Sequence, residues 1–133
     1  MKKCIAFILV VVSFVAMVCS VEAAVVTPLD PQYADANALR VDFSIGPSGL
    51  SRILLSCVGN STLESTNTTV YFQKKVDGAW SSIKTWSDSS EGTTYQKQYT
   101  YQLFEQGEYR VLVYFRLAGT THETIKEIRE ASY

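Results

Sequence analysis

From Asn37 onward, hydrophobic and polar residues alternate in short runs that are separated by clusters of Gly, Asn, Asp and Ser. Alternation with a period of two is typical of β-strands that bury one face, and no long segment has the helical period. The pattern predicts strands at residues 39–45, 50–58, 68–75, 80–86, 93–103, 109–118 and 122–129. About seven short strands in a chain of this length predict an all-β fold, an immunoglobulin-like or fibronectin-III-like antiparallel sandwich.

The strongest local turn signal is the dipeptide Asp77-Gly78, which stands between two strand-like runs. A tight two-residue hairpin turn needs a positive φ at both central positions, and Asp-Gly adopts this conformation readily. The third and fourth predicted strands are therefore expected to form a hairpin.

Tyr109 opens the sixth predicted strand shortly after Gly107. This arrangement resembles the tyrosine corner of Greek-key sandwiches, in which the phenol packs inward and its hydroxyl bonds the backbone of the preceding connection. Strand alternation then predicts which residues point inward and which point outward. The inward set is Tyr109, Val111, Val113 and Phe115, and the outward set is Arg110, Leu112, Tyr114 and Arg116.

The N-terminal segment has the layout of an export signal. Lys2 and Lys3 precede an apolar run over residues 4–21, and the small residues Val21 and Ala23 predict cleavage after residue 23. The predicted divisions are a signal peptide at 1–23, an N-terminal leader or linker at 24–36 and the sandwich domain at 37–133. An uncleaved signal would instead serve as a membrane anchor. We expect a secreted or extracellular protein, or one that is associated with the cell envelope.

Charge and cysteine content narrow the class of protein. Removing the charges of the signal peptide from the 12 basic and 13 acidic residues leaves 10 and 12, a net charge of −2. No basic field for nucleic acid is therefore expected. Cys57 is the single cysteine outside the signal peptide, so no disulfide forms within the mature chain and the apolar core has to stabilise the fold.

The sequence contains no motif that indicates catalysis. His122 is the only histidine, and no Cys or His lies near it to complete a zinc site. Cys57 stands in an apolar run, where a buried thiol is expected to be inert. No nucleophile elbow, phosphate loop or dinucleotide fingerprint occurs. We predict no catalytic residue, no metal site and no cofactor, and a protein that is not an enzyme.

Three segments together resemble a known group of proteins: residues 72–80, the dipeptide Trp86-Ser87, and residues 107–111. They are similar to small secreted proteins of Gram-positive bacteria that form an uncharacterised immunoglobulin-like domain family. The resemblance implies a sandwich fold and export. It supplies no catalytic or ligand-binding residues.

Exposed aromatic residues are the candidates for binding. Alternation points Tyr71 and Tyr114 outward from neighbouring strands, with Leu112 beside them. Tyrosine offers a large rigid face with a polar tip, so these residues predict a surface for a cell-wall glycan or an extracellular protein. A cross-strand tyrosine pair that only stabilises the sheet is the more ordinary interpretation of the same two residues.

The two tryptophans bracket the fourth predicted strand. Trp80 and Trp86 are six residues apart, so uninterrupted alternation places both on the same side of the sheet. A structural role, in which one or both of them plug the edge of the sandwich, is predicted, as it is for Tyr109 and Cys57. The alternative is a surface platform for a sugar.

Two Asn-X-Ser/Thr sequons, at Asn60 and Asn67, occur in the Ser/Thr-rich segment 59–69. We interpret this segment as a polar loop between strands. Glycan attachment in an exported eukaryotic protein is the alternative.

These features predict a non-catalytic secreted or cell-surface binding or adhesion module. The alternative is a small structural, envelope-associated protein that assembles through strand edges or through Cys57. The charged residues of the last strand favour the first hypothesis, because charged edge strands hinder pairing with other chains.

Overall fold

The computed structural model describes residues 33–133, and these residues form seven β-strands. Every predicted strand is present, and most extend beyond their predicted ends. The predicted signal peptide and the leader as far as residue 32 lie outside the described residues. In chain order the strands are β1 (Ala36–Ile45), β2 (Leu50–Gly59), β3 (Ser65–Val76), β4 (Ala79–Glu91), β5 (Thr94–Gln102), β6 (Glu108–Ala118) and β7 (His122–Ser132).

The strands form two antiparallel sheets. The smaller sheet has the order β1-β2-β5, and the larger sheet has the order β4-β3-β6-β7. The chain changes sheet between β2 and β3, between β4 and β5, and between β5 and β6. This topology is an immunoglobulin-like, fibronectin-III-like sandwich, which confirms the predicted fold class.

Phe72 lies at the centre of the core between the two sheets and is fully buried. Its ring packs edge-on against Phe43 of β1 and Tyr101 of β5, with ring centroids 5.6 and 5.4 Å apart. On its own sheet it contacts Tyr109 at 5.8 Å and Trp86 at 6.3 Å. One β3 side chain therefore joins both sheets through aromatic contacts.

The β3–β4 connection is the predicted hairpin turn. Asp77 has a φ of 52° and Gly78 has a φ of 80°, so both central residues have the positive φ of a type I′ turn. Val76 pairs with Ala79 directly across the turn. The prediction of a hairpin is confirmed.

The tyrosine corner is also present. The Tyr109 ring is buried, and its hydroxyl donates a hydrogen bond of 2.6 Å to the carbonyl oxygen of Glu105. The predicted alternation along β6 holds, because Val111, Val113 and Phe115 are fully buried. The corner thus fixes the connection from β5 into β6.

The domain begins earlier than the predicted boundary at residue 37. Asp35 is fully buried, and Ala36 is the first residue of β1. The Asp35 carboxylate accepts a hydrogen bond of 2.6 Å from the Thr62 hydroxyl and backbone hydrogen bonds of 3.1 and 3.2 Å from Thr120 and Thr121. The sequence predicted a linker at residues 33–36, because the hydrogen-bond partners that hold Asp35 are distant in the chain and no local pattern reveals them.

Glycine allows the chain to approach Asp35 closely. A Cβ on Gly119 would lie 2.8 Å from the Asp35 carboxyl carbon and 2.6 Å from the Thr62 carbonyl oxygen. These distances are shorter than real Cβ contacts, so a side chain at residue 119 would displace the β6–β7 turn from Asp35. The Asp35 carboxylate therefore ties the start of β1 to the β2–β3 and β6–β7 connections.

We predict that Asp35 makes the stability of the domain sensitive to acid. Hydrogen bonds, chiefly from the Thr62 hydroxyl, hold the pKa of Asp35 below its ordinary value of 3.8. Because the folded-state pKa is depressed, the stabilisation is present above about pH 4 and is lost as the pH falls through the folded pKa. Urea unfolding of the natural protein and of Asp35→Asn at pH 7 and at pH 3 measures this effect.

Asp35→Asn should be less stable at pH 7, because its amide turns N–H groups toward backbone donors. The difference between the two proteins should shrink at pH 3. An equal difference at both pH values would contradict a role for the Asp35 charge.

A second prediction concerns the tyrosine corner. Tyr109→Phe should lower the free energy of unfolding by about 1–2 kcal/mol, because it leaves the Glu105 carbonyl without its buried partner. Tyr101→Phe is the matched control, since the Tyr101 hydroxyl has no hydrogen-bond partner among the described residues. Urea unfolding of both variants should show a cost for Tyr109→Phe alone, and similar losses would refute the assignment.

Candidate binding surface

The predicted binding residues lie together on the outer face of the larger sheet. Tyr71 of β3 pairs directly with Leu112 of β6. Tyr114 approaches Tyr71 edge-on, with ring centroids 6.1 Å apart and an angle of 89° between the rings. All three side chains are half-buried. We call Tyr71, Leu112 and Tyr114 the aromatic patch.

Ile128 extends the aromatic patch onto β7. It pairs with Leu112 and is 38 % exposed, more than an aliphatic core residue would be. The sequence did not indicate Ile128 as a binding residue, because it lies among charged residues that are typical of an edge strand. The signal was the alternation of β7, which places Ile128 on the same face as Lys126 and Glu130.

Trp80 also lies on this outer face, so the prediction that it shares a side with Trp86 is wrong. Phe72 pairs with Lys84, but the next residue, Gln73, pairs with Ser82. Ile83 is therefore an extra residue in β4, a β-bulge that reverses the alternation on either side of it. Trp80 consequently pairs with Lys75 on the outer face and does not pack against the core.

Trp86 has the predicted structural position. It pairs with buried Val70, stacks on Tyr99 with centroids 4.9 Å apart, and packs against Phe72. Tyr99 belongs to β5 of the other sheet. Trp86 thus covers the open side of the sandwich between β4 and β5.

The outer-face position of Trp80 is fixed by a cation. The guanidinium carbon of Arg110 lies 4.5 Å from the Trp80 ring centroid, and Arg110 Nε donates a hydrogen bond of 2.7 Å to Gln73 Oε1. Lys75 Nζ lies 5.8 Å from the same ring and 3.1 Å from Glu108 Oε2. Arg110 is therefore engaged by the protein itself at this end of the sheet.

A polar surface adjoins the other end of the aromatic patch. It is an open depression of about 450 Å³ whose lining includes Asn67, Thr69, Ser87, Ser89 and Arg116. The Arg116 guanidinium donates a hydrogen bond of 3.1 Å to the Thr69 hydroxyl. Thr69 pairs across the sheet with Tyr114, so the depression and the aromatic patch form one continuous face.

Cys57 is fully buried, and its thiol is free. Burial raises the pKa of the thiol, with a smaller opposing effect from the Thr66 hydroxyl. A neutral, buried thiol is a poor nucleophile and is inaccessible to another protein. The structural position predicted for Cys57 is the one observed, and its use in intermolecular assembly would require unfolding.

The two sequons have different environments. The Asn60 side chain donates to the Ala34 carbonyl oxygen and accepts a hydrogen bond of 2.9 Å from the Thr62 amide, so it shapes the β2–β3 connection. Asn67 lies on β3 instead of in the predicted loop, and its side chain is exposed in the depression. The predicted polar loop is therefore shorter, because β3 begins at Ser65.

No group of three or more His, Cys, Asp or Glu side chains in residues 33–133 is placed to hold a metal ion. The described part of the chain contains no helix of the length and hydrophobicity that crossing a bilayer requires.

Comparisons with known proteins cover protein families, curated proteins and solved structures. No family model matches the chain, and no curated protein matches it. Among solved structures it is similar to the CARDB domain of a Pyrococcus furiosus protein, crystallised in complex with di-metal ions. The two share 14 % identity and a TM-score of 0.47 over 75 % of this chain and 90 % of that chain.

The sandwich fold implied by the Gram-positive resemblance is the one that the strands form, whereas membership of that bacterial family stays a prediction. The fold and the surface together define an immunoglobulin-like sandwich with an aromatic outer face on its larger sheet.

The different positions of the two tryptophans lead to a prediction about stability. Trp86→Ala should lower the free energy of unfolding by about 2–3 kcal/mol, because it opens a gap beside Phe72. Trp80→Ala should cost about 1 kcal/mol or less, since it removes a surface cation–π contact. Urea unfolding of the two variants compares them directly, and equal losses would contradict the bulge in β4.

Proposed function

We propose that this domain is a non-catalytic binding or adhesion module whose ligand lies on the outer face of the larger sheet. The observation that carries the proposal is the aromatic patch, in which two tyrosine rings and a leucine from adjacent strands meet on one face. Rigid aromatic side chains with a polar tip supply contact area at a low cost in conformational entropy. Such a face suits a partner that is laid across the sheet.

The shape of this face favours an extended ligand. The aromatic patch lies on the outer face of the sheet, and the polar depression beside it is open. Small-molecule sites are usually enclosed clefts, whereas chains of sugars are commonly held by stacking on exposed rings. We propose a cell-wall glycan as the ligand, with an extracellular protein as the alternative.

Export of the protein is part of this proposal. The positive and apolar pattern of residues 1–23 supports it, because a short basic segment followed by an apolar run and small residues is the layout of a secretory signal. The binding face would then meet ligands outside the cell or in its envelope.

The strand edges give less support to a structural protein that assembles by edge pairing. At β7, the Arg129 Nε donates a hydrogen bond of 3.1 Å to the Val41 carbonyl oxygen of β1, which ties this edge to the other sheet. At β4, the bulge at Ile83 interrupts the edge. Bulges and charged residues are features that hinder edge-to-edge association.

The test compares retention of the purified protein on insoluble cell-wall polysaccharides and on immobilised secreted proteins. Tyr71→Ala combined with Tyr114→Ala should lower specific retention at least about tenfold, because stacking and burial of both rings are lost. Phe104→Ala is the matched control, since its ring is 88 % exposed on the β5–β6 connection and is not part of the aromatic patch.

Urea unfolding of each variant separates lost binding from lost folding. If the double variant is less stable but retains every ligand that the natural protein retains, the tyrosine pair stabilises the sheet and the proposed binding face is wrong. Equal loss in Phe104→Ala would show that retention depends on general hydrophobicity.

A further inference from the structure

We infer that the ligand of this face is an acidic saccharide, whose anionic group lies at Arg116 while its sugar ring stacks on Tyr114. The inference rests on the proposed function and names the chemical class of its ligand. It arises from the juxtaposition of a cation, several hydroxyl and amide groups and an aromatic ring on one surface.

The two arginines on the outer face of β6 differ in their surroundings. Arg110 stacks on Trp80 and donates to Gln73, so its guanidinium already has partners on both sides. Arg116 is exposed, donates one hydrogen bond to Thr69, and forms no ion pair with any carboxylate in residues 33–133. A guanidinium carries five N–H donors in a planar fork that matches an oxyanion.

The residues that pair with Arg116 across the sheet carry no negative charge. Its cross-strand neighbours are Asn67 on β3 and Thr124 on β7, and neither is acidic. Tyr114, two residues earlier, lies between Thr69 and Lys126. Lys126 is exposed and likewise forms no ion pair in this part of the chain. Two cations therefore flank the tyrosine, and no carboxylate pairs with Tyr114 or Arg116 across β3 or β7.

One carboxylate does line the depression, and it is already engaged. Asp88 accepts a hydrogen bond of 3.2 Å from the Tyr95 hydroxyl and lies 3.6 Å from Lys97 Nζ. Both partners belong to β5 of the other sheet, so the Asp88 carboxylate is directed away from Arg116. On the outer face, Glu108 and Glu130 stand near Trp80 at the opposite end. Glu91 is exposed at the near end of β4, where it pairs with Ser65, and it does not line the depression.

Neutral polar side chains lie beside Arg116 in the depression. The Asn67 amide and the Ser87 and Ser89 hydroxyls line the depression next to Arg116. Hydroxyl and amide groups exchange hydrogen bonds with sugar hydroxyls, and a tyrosine face packs against the C–H face of a sugar ring. A peptide or a simple anion would use the cations but would not need all three kinds of group.

The whole chain does not favour anions in general. Its formal net charge is −1, so no long-range positive field draws polyanions toward it. Discrimination for an anionic group would come from the local site, within about one Debye length of Arg116.

The experiment compares retention on acidic polysaccharides with retention on polymers of the same backbone that lack the charge. Polygalacturonate is paired with its methyl ester, and hyaluronan is paired with its carboxyl-reduced form. Polyglutamate is the anionic polymer without sugars. The acidic polysaccharides should be retained about tenfold more strongly than their neutral forms and more strongly than polyglutamate.

Arg116→Gln should remove about tenfold of the retention on the acidic polysaccharides and leave retention on the neutral forms unchanged, because it deletes a charge-assisted contact. Arg52→Gln is the matched control. Arg52 is exposed on the smaller sheet and forms no ion pair among the described residues, so its loss should change nothing. Urea unfolding of both variants confirms that each is folded.

Three results would overturn the inference: no retention on either acidic polysaccharide, equal retention on the neutral forms or on polyglutamate, or equal effects of Arg116→Gln and Arg52→Gln. The binding proposal survives these results if Tyr71→Ala with Tyr114→Ala still lowers retention on neutral cell-wall polysaccharides or on a secreted protein. If that double variant keeps all retention, both the binding proposal and the acidic-saccharide inference fail.

Discussion

The contact of Phe72 with aromatic rings on both sheets is the interaction on which the rest of this structure depends. The described chain has no disulfide between its sheets, since Cys57 is free, so apolar packing is the main interaction between them, and a few polar contacts such as Arg129 with the Val41 carbonyl oxygen add to it. Phe72 lies against Phe43 and Tyr101 of the smaller sheet. Because strand side chains alternate, burying Phe72 turns Tyr71 toward solvent. The outer face is thus set by the core.

The β-bulge at Ile83 separates two roles within one strand. On the Glu91 side of the bulge, Trp86 closes the core against Tyr99. On the hairpin side, Trp80 lies on the surface over Arg110. Without the extra residue, both tryptophans would face the same way and the end of the outer face would lose its ring. The bulge also interrupts an exposed edge strand. One local irregularity therefore places Trp80 on the outer face and hinders edge pairing with another chain.

Features that depend on neighbouring residues in the chain could be predicted from the sequence. The strands follow from alternation, the type I′ turn from Asp77-Gly78, and the corner from Tyr109 after Gly107. Features that depend on distant partners could not. Asp35 finds its hydrogen-bond donors more than 25 residues away, and the bulge is defined only by the pairing of β4 with β3. The aromatic patch was predictable because each of its members follows from alternation within its own strand, whereas Trp80 joined the outer face through the bulge.

The same limit applies to Arg110 and Arg116, which are equivalent in the sequence. They are six residues apart on β6, and alternation places both outward. Their difference comes from the adjacent strands: Gln73 and Trp80 surround Arg110, whereas Thr69 and Asn67 lie beside Arg116. An arginine that stacks and donates within the protein contributes to stability, and one that lacks an acidic partner keeps its charge available to a ligand. The cross-strand register therefore gives the two arginines different roles. Arg110 is part of the structure, whereas Arg116 is a candidate for ligand recognition.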